Sequence, residues 1–332
     1  MIAMFDLAAL REAADFVHQH VPATPQHAWP LLAQRLGCQV WVKHENHAPT
    51  GAFKVRGGLV YVRSLLAGGQ PPRGLVTATR GNHGQSMALA ARQAGVPLVI
   101  VVPEGNSKEK NAAMRALGAE LVEHGVDFDV AREEAARLAD ELGYDMVPSF
   151  HPELVRGVAT YALELFEAVG QLDCVYVPIG MGSGICGLIQ ARNLLGLKTE
   201  IVGVVSSAAD AYAQSFEQGR IVTTATADTF ADGMACRVPH PDAFALVREH
   251  AARILRVTDS EVAEAMRIYH ETTHNTAEGA GAAALAALLQ EREHQAGKRV
   301  AVVLSGANVD RGRYAQVLAG AEKPGMTIGE KC

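Results

Sequence analysis

Apolar residues along this chain follow two alternating patterns. Runs such as Leu98–Val102, Val175–Ile179 and Val300–Leu304 are almost continuously apolar and rich in Val and Ile, whereas the stretches between them space their apolar residues three and four apart. The first pattern predicts strands at Val40–Lys43, Gly74–Thr77, Leu98–Val102, Glu120–Glu123, Val175–Ile179, Ile201–Val205 and Val300–Leu304. The second predicts helices at Gln85–Gln93, Glu109–Leu117, Asp129–Leu142, Thr160–Val169, Ile185–Leu195 and Ser260–Thr273. Strands alternating with helices define an α/β class with parallel sheets, and the continuous apolar runs require both sheet faces to be covered. The two prolines of Tyr144–Pro152 mark the best domain boundary.

Composition narrows the function classes. Among 332 residues, 48% are hydrophobic and 20% charged, an ordinary globular balance. A net charge of −6 offers no basic field for nucleic acid or an anionic membrane. Cys38, Cys174, Cys186, Cys236 and Cys332 are an odd number without C-x-x-C spacing, which fits a reducing cytoplasm. Asp6, Arg11 and Glu12 break the N-terminal stretch, so no signal peptide is expected, and Val96–Pro103 is too short to span a bilayer.

Two glycine clusters stand where a strand hands over to a helix. In Val175–Gly184 the glycines let backbone N–H groups converge at a helix N-terminus, a site suited to phosphate. In Val76–Gly84 the same geometry gains Thr79, Arg80, Asn82 and His83, donors suited to a carboxylate. Gly182-Ser-Gly-Ile-Cys-Gly187 matches the dinucleotide pattern G-x-G-x-x-G, but no acidic residue ends the next strand to hold a ribose. His270-Glu-Thr-Thr-His274 matches a zinc-protease pattern, yet Glu264 and Arg267 make that helix face a solvated one, so no metal site is expected. Lys54, beside Phe53 and close to Arg56, is a candidate for a lysine poised below its ordinary pKa.

Five ordered motifs carry a resemblance along nearly the whole chain. They are Lys43-x-Glu-Asn-x-x-x-Thr-Gly-Ala-Phe-Lys-Val-Arg-Gly57, Thr79-Arg-Gly-Asn-His-Gly84, Pro178-Ile-Gly-Met-Gly-Ser-Gly184, Ala231-Asp-Gly233 and Leu304-Ser-Gly-Ala-Asn308. With them the sequence closely resembles the threonine/serine dehydratases among the fold-type-II enzymes that use pyridoxal 5′-phosphate (PLP). The resemblance implies two open, twisted parallel-sheet domains of the tryptophan-synthase-β kind, with the cofactor in the cleft. The larger domain would comprise residues 1–44 and 149–332, and the smaller, 45–148, would be inserted into it. Lys54 would be the catalytic lysine that carries PLP and removes the Cα proton. Phe53 and Gly233 would flank the cofactor ring, Asn82 would bind its phenolic oxygen, and Gly180, Met181, Gly182, Ser183 and Gly184 would hold its phosphate. Ser305 would meet the pyridine nitrogen through a neutral hydroxyl, which favours elimination. Thr79, Arg80, Gly81, Asn82 and His83 would grip the substrate carboxylate. The activity implied is removal of water from a β-hydroxy-α-amino acid, threonine or serine by default, to give a 2-keto acid and ammonia. A cytoplasmic homodimer without a regulatory domain is expected.

Departures from the family pattern qualify that reading. Ala52 stands before the Phe-Lys pair in place of a common serine, Arg156 replaces a small residue, and Gly279 replaces a common proline. Racemising relatives place a serine base where this chain has Arg80, and a guanidinium does not shuttle a proton at neutral pH, so racemisation is not expected. Arg80 would either contact a substrate carboxylate or pair with a protein acid outside the pocket. The first alternative brings in 3-hydroxyaspartate or the hydroxylated diamino acids of hydroxyectoine catabolism as substrates. Metal-dependent relatives place acidic ligands where this chain has Val205 and Ala211, which cannot bind Mg²⁺ or Ca²⁺. A β-replacement enzyme and a non-catalytic PLP-binding protein are the weaker alternatives.

Overall fold

The computed structural model describes residues 4–320, so Cys332 lies outside the described residues. Its strands are β1 (Gln26–Ala28), β2 (Gln39–His44), β3 (Leu75–Ala78), β4 (Leu98–Val102), β5 (Glu120–Glu123), β6 (Asp145–Met146), β7 (Cys174–Pro178), β8 (Glu200–Ser206), β9 (Arg253–Val257) and β10 (Arg299–Leu304). The helices are α1 (Leu7–His18), α2 (Pro30–Leu36), α3 (Lys54–Ala67), α4 (Asn82–Ala94), α5 (Lys108–Ala116), α6 (Phe128–Leu142), α7 (Pro152–Val169), α8 (Ser183–Leu194), α9 (Ala211–Gln218), α10 (Pro241–His250), α11 (Asp259–Thr273), α12 (Gly279–Gln290) and α13 (Arg311–Leu318). A six-stranded sheet runs β1-β2-β10-β7-β8-β9 and a four-stranded sheet runs β5-β4-β3-β6. Every pairing is parallel except that of β1 with β2.

The continuous apolar strands are buried on both sides, because successive side chains alternate between faces. In β10, Ala301 and Val303 enter the core shared with α7, α8 and α10, whereas Val300, Val302 and Leu304 enter the core shared with α2, α11 and α12. The smaller sheet repeats the arrangement. Leu98, Ile100 and Val102 face α3 and α4, while Val99 and Val101 face Ala131, Ala135 and Ala139, which stand one helical turn apart on α6. After β6 the chain leaves the smaller sheet through 147–151 and enters α7, which begins at Pro152 and not at the expected Thr160. His151 caps that start by accepting from the Glu153 amide at 3.1 Å, and proline suits the first helical turn.

The two sheets are tied together by a cluster of buried charges. Lys43 on β2, Glu45 just after it and Arg56 on α3 are fully buried, and Glu164 on α7 is 7% exposed. Arg56 donates to both carboxylates, from Nε to Glu45 Oε2 at 2.8 Å and from Nη2 to Glu164 Oε2 at 3.0 Å. Lys43 donates to Glu164 Oε2 at 2.6 Å and to the Thr24 carbonyl at 2.8 Å. Two cations and two anions leave no net charge, the condition under which ions tolerate burial. Burial pushes the Glu164 carboxyl up, but Arg56 and Lys43 outweigh it and hold the pKa at about 2. α3 and α7 cross beside this cluster at Gly57 and Gly157, where a Cβ on Gly57 would come within 2.8 Å of the Leu154 carbonyl oxygen.

Removing one partner should leave uncompensated charge. Glu164→Gln is expected to lower stability at pH 7 by about 3–5 kcal/mol in urea unfolding. Because the folded pKa lies below the ordinary 4.5, the stabilisation is full above that pH and is lost as pH falls toward about 2. The variant should lack that part of the acid dependence; a loss under about 1 kcal/mol would show that the cluster is not needed.

Candidate active site

Every site residue expected from the sequence lines one cavity of about 740 Å³ between the two sheets: Phe53, Lys54, Thr79, Arg80, Gly81, Asn82, His83, Gly180, Met181, Gly182, Ser183, Gly184, Gly233 and Ser305. The cavity opens at the carboxyl ends of β3, β7 and β10, where an open α/β sheet binds its ligands.

Lys54 is the first residue of α3, and its Nζ donates to Ser183 Oγ at 3.0 Å and lies 5.0 Å from the Phe53 ring centre. Loss of hydration lowers its pKa from 10.5 to about 8, against an opposing pull from the negative charge of Glu278. Arg56 does not supply the cationic surroundings that its place in the sequence suggests. Its guanidinium is turned into the buried ion cluster and neutralised there.

The loop Gly180–Gly184 joins β7 to α8. Gly182 caps α8 with φ +105°, a left-handed conformation natural to glycine, and a Cβ there would stand 2.8 Å from both Tyr212 Oη and Ala243 Cβ. A Cβ on Gly180 would run into the Gly233 carbonyl oxygen. Buried tyrosines take up two of the loop's carbonyls, Tyr212 donating to Met181 O at 2.9 Å and Tyr161 to Gly184 O at 3.0 Å. The first N–H groups of α8 have no partner within the helix and stand at its positive end. A cradle closed to side chains and rich in free N–H donors fits a phosphate.

The other wall is the N-terminus of α4. Thr79 Oγ1 accepts from the Gly81 amide at 3.0 Å and shapes the turn. Asn82 Nδ2 donates to Glu278 Oε1 at 2.6 Å, and its Oδ1 accepts from Asn308 at 2.8 Å, which leaves one amide N–H for a ligand. His83 Nε2 is buried without a partner, and burial first, then the Lys54 charge, lower the ring's pKa to about 3. His83 is therefore a neutral hydrogen-bonding group. Ser305 accepts from the Phe53 amide through its carbonyl at 3.1 Å, which ties the end of β10 to the start of α3.

Lys110, Asp232, Glu278 and His240 also line the cavity and were not expected there. Lys110 Nζ lies 3.2 Å from Asp232 and 3.9 Å from Glu278, and these carboxylates outweigh its burial and keep it charged. Burial raises the Glu278 pKa. Asp232 sits in the Ala231-Asp-Gly233 motif, and that signal could have marked it. Of the two arginine departures, Arg80 lines the cavity, whereas Arg156 pairs with Glu153 on α7 and is not part of the lining. The histidine pair of the zinc-like motif also lies elsewhere: His274 ends α11 in a left-handed cap, with its ring 6.3 Å from that of His270. Among the described residues, no three His, Cys, Asp or Glu side chains are grouped to hold a metal, and no helix is long and apolar enough to cross a membrane.

A buried lysine of lowered pKa opposite a glycine cradle that fits phosphate, in a cleft between two parallel sheets, suits an enzyme that binds a phosphorylated carbonyl cofactor. Residues 17–306 match the family described as pyridoxal-phosphate dependent enzyme, and the chain belongs to that family. It is 35% identical over 96% of its length to the L-threo-3-hydroxyaspartate ammonia-lyase of Saccharomyces cerevisiae, of which it covers 97%. It is 33% identical over 92% of its length to the L-threonine ammonia-lyase of Thermotoga maritima, of which it covers 76%. Among solved structures, a threonine deaminase from T.th. superposes with a TM-score of 0.86 at 33% identity, over 92% of this chain and 99% of that one. Maize serine racemase superposes with a TM-score of 0.88 at 27% identity, over 95% of this chain and 97% of that one.

The lowered Lys54 pKa makes the site's reactivity depend on pH. The neutral amine is the nucleophile, so uptake of PLP by apoprotein should accelerate as pH rises through a midpoint near 8, followed by absorbance. Glu278→Gln removes the opposing negative charge and should move the midpoint lower. A midpoint above 10, or uptake independent of pH, would contradict the assignment.

Proposed function

We propose that this protein is a PLP-dependent ammonia-lyase that removes water from a β-hydroxy-α-amino acid, threonine or serine in the first instance, and yields a 2-keto acid and ammonia. The observation that carries this reading is Lys54, a cavity lysine without a carboxylate in ion-pair contact among the described residues, set against the glycine cradle. The yeast and Thermotoga relatives are both named ammonia-lyases of β-hydroxy amino acids, which supports this reading.

Bound in this site, PLP supplies an electron sink that acidifies the Cα–H bond of an attached amino acid. Gly180, Met181, Gly182, Ser183 and Gly184 would hold its phosphate, Phe53 and Gly233 would flank its ring, and Ser305 would offer a neutral hydroxyl to its pyridine nitrogen. The spare N–H of Asn82 would bind its phenolic oxygen. Gly81, Asn82 and His83 would hold the substrate carboxylate at the N-terminus of α4, where backbone donors and the helix dipole favour an anion. As a neutral amine, Lys54 would take the Cα proton, with Ser183 Oγ accepting from its Nζ. Loss of the β-hydroxyl as water leaves an enamine, which hydrolyses after release to the keto acid and ammonia. Residues 45–148 would form the smaller of two domains. A cytoplasmic homodimer accompanies this proposal, and sedimentation tests its oligomeric part.

Purified protein should be yellow, and Lys54→Ala should lose both the cofactor absorbance and turnover. Keto-acid formation should be found with threonine or serine and should survive chelation. A colourless wild type that binds no PLP would overturn the reading, and activity abolished by chelator and restored by Mg²⁺ would contradict the metal-free site.

A further inference from the structure

We propose that Arg80 and His240 form a recognition site for a second carboxylate, carried on the side chain of the substrate. The proposal rests on the ammonia-lyase reading and names the substrate class within it.

The charge pattern of the cavity singles out Arg80. Lys110 is answered by Asp232 and Glu278, and Arg132 and Arg237 are answered by Asp129 at 3.4 and 3.2 Å. Lys54 has its pKa lowered by burial and meets a hydroxyl. Arg80 is half-buried in the same lining and, among the described residues, has no acidic partner. A guanidinium cannot shed its proton to escape partial burial, so it presents an uncompensated positive charge to any anion that enters the cavity. Its planar fork offers a carboxylate two parallel hydrogen bonds. The substrate's α-carboxylate already has the backbone and side-chain donors of Gly81, Asn82 and His83, so Arg80 is available to a different group.

His240, just before α10, supplies an independent observation. Its ring stacks on Phe150 with centres 4.5 Å apart and planes 28° apart, and its Nδ1 is buried without a hydrogen-bond partner. The nearest acid, Asp242, stands 4.0 Å away, beyond hydrogen-bond length. The neighbouring cavity wall is apolar or weakly polar: Phe150, Met181 and Cys236, whose Sγ lies 3.6 Å from Met181 Sδ. An orphaned buried nitrogen costs stability unless a ligand completes it, and the Phe150 stack has already fixed the plane in which it donates. The methyl of threonine uses neither group. A side-chain carboxylate uses both, accepting from the Arg80 fork and from the His240 ring.

The test compares L-threo-3-hydroxyaspartate with L-threonine as substrates of holoenzyme whose cofactor content is checked by absorbance. Wild type should favour the diacid. Arg80→Gln should lower kcat/KM for the diacid about 10–100-fold more than for threonine, mainly through KM, and His240→Phe, which keeps the ring stack, should shift the same ratio about tenfold. Inhibition supplies a second readout. L-aspartate, which lacks the leaving hydroxyl, should inhibit wild type more tightly than L-2-aminobutyrate, and Arg80→Gln should erase the difference. Equal losses on both substrates would overturn the proposal, and so would a wild type that turns over threonine and not the diacid, with the ammonia-lyase reading left standing. A PLP-loaded wild type inactive on both substrates would overturn the two together.

Discussion

Buried charge has to be neutralised, and the quartet of Lys43, Glu45, Arg56 and Glu164 is where this chain meets that constraint most fully. Its members come from β2 and the turn that follows it, from α3 and from α7, so none can move without stranding another in a dry interior. Arg56 lies half a turn past Lys54 on the same helix. Fixing the guanidinium between two carboxylates therefore fixes the start of α3 and the direction in which Lys54 leaves it. The glycine crossing of α3 and α7 brings the two backbones close enough for a side chain on one helix to reach acids on the other.

The same rule sorts three buried or half-buried lysines into different tasks. Lys43 is held by Glu164 and is structural. Lys110 lines the cavity but is kept cationic by Asp232 and Glu278, and it bridges segments far apart in the chain. Lys54 meets a hydroxyl where the other two meet carboxylates, and burial lowers its pKa to about 8, so that its neutral form is within easy reach. Reactivity here follows from a withheld counter-ion. Arg80 is a second withheld counter-ion in the same cavity, but a guanidinium stays charged and so becomes a binding group.

Strands buried on both faces were legible in the sequence, since a continuous β-branched run has few other solutions, and the motif residues converge on one cavity as the resemblance implies. α3 was not legible. Val55, Val60 and Val62 and the pair Gly57-Gly58 argue locally against a helix, and packing on α4 and α7 overrides that preference. α12 hid for the opposite reason: Gly279 to Leu288 are all buried, so the stretch shows no polar face and no period to detect. Strands β1 and β6, of three and two residues, are too short to carry alternation. Within the site, glycine turns announce themselves locally, whereas the pairing of Lys110 with Asp232 and Glu278 depends on residues more than a hundred positions apart. Arg56 shows the converse error, because sequence proximity to Lys54 suggested an electrostatic partner and the fold turned it elsewhere.

The central claim is that, of the lysines in and around this cleft, the one without a carboxylate partner carries the cofactor. Borohydride reduction of the PLP-loaded protein fixes the cofactor to its lysine, and peptide mass mapping then reads the position. The account predicts the added mass on Lys54 alone. The same mass on Lys110, which lines the same cavity, or on Lys43 would contradict it.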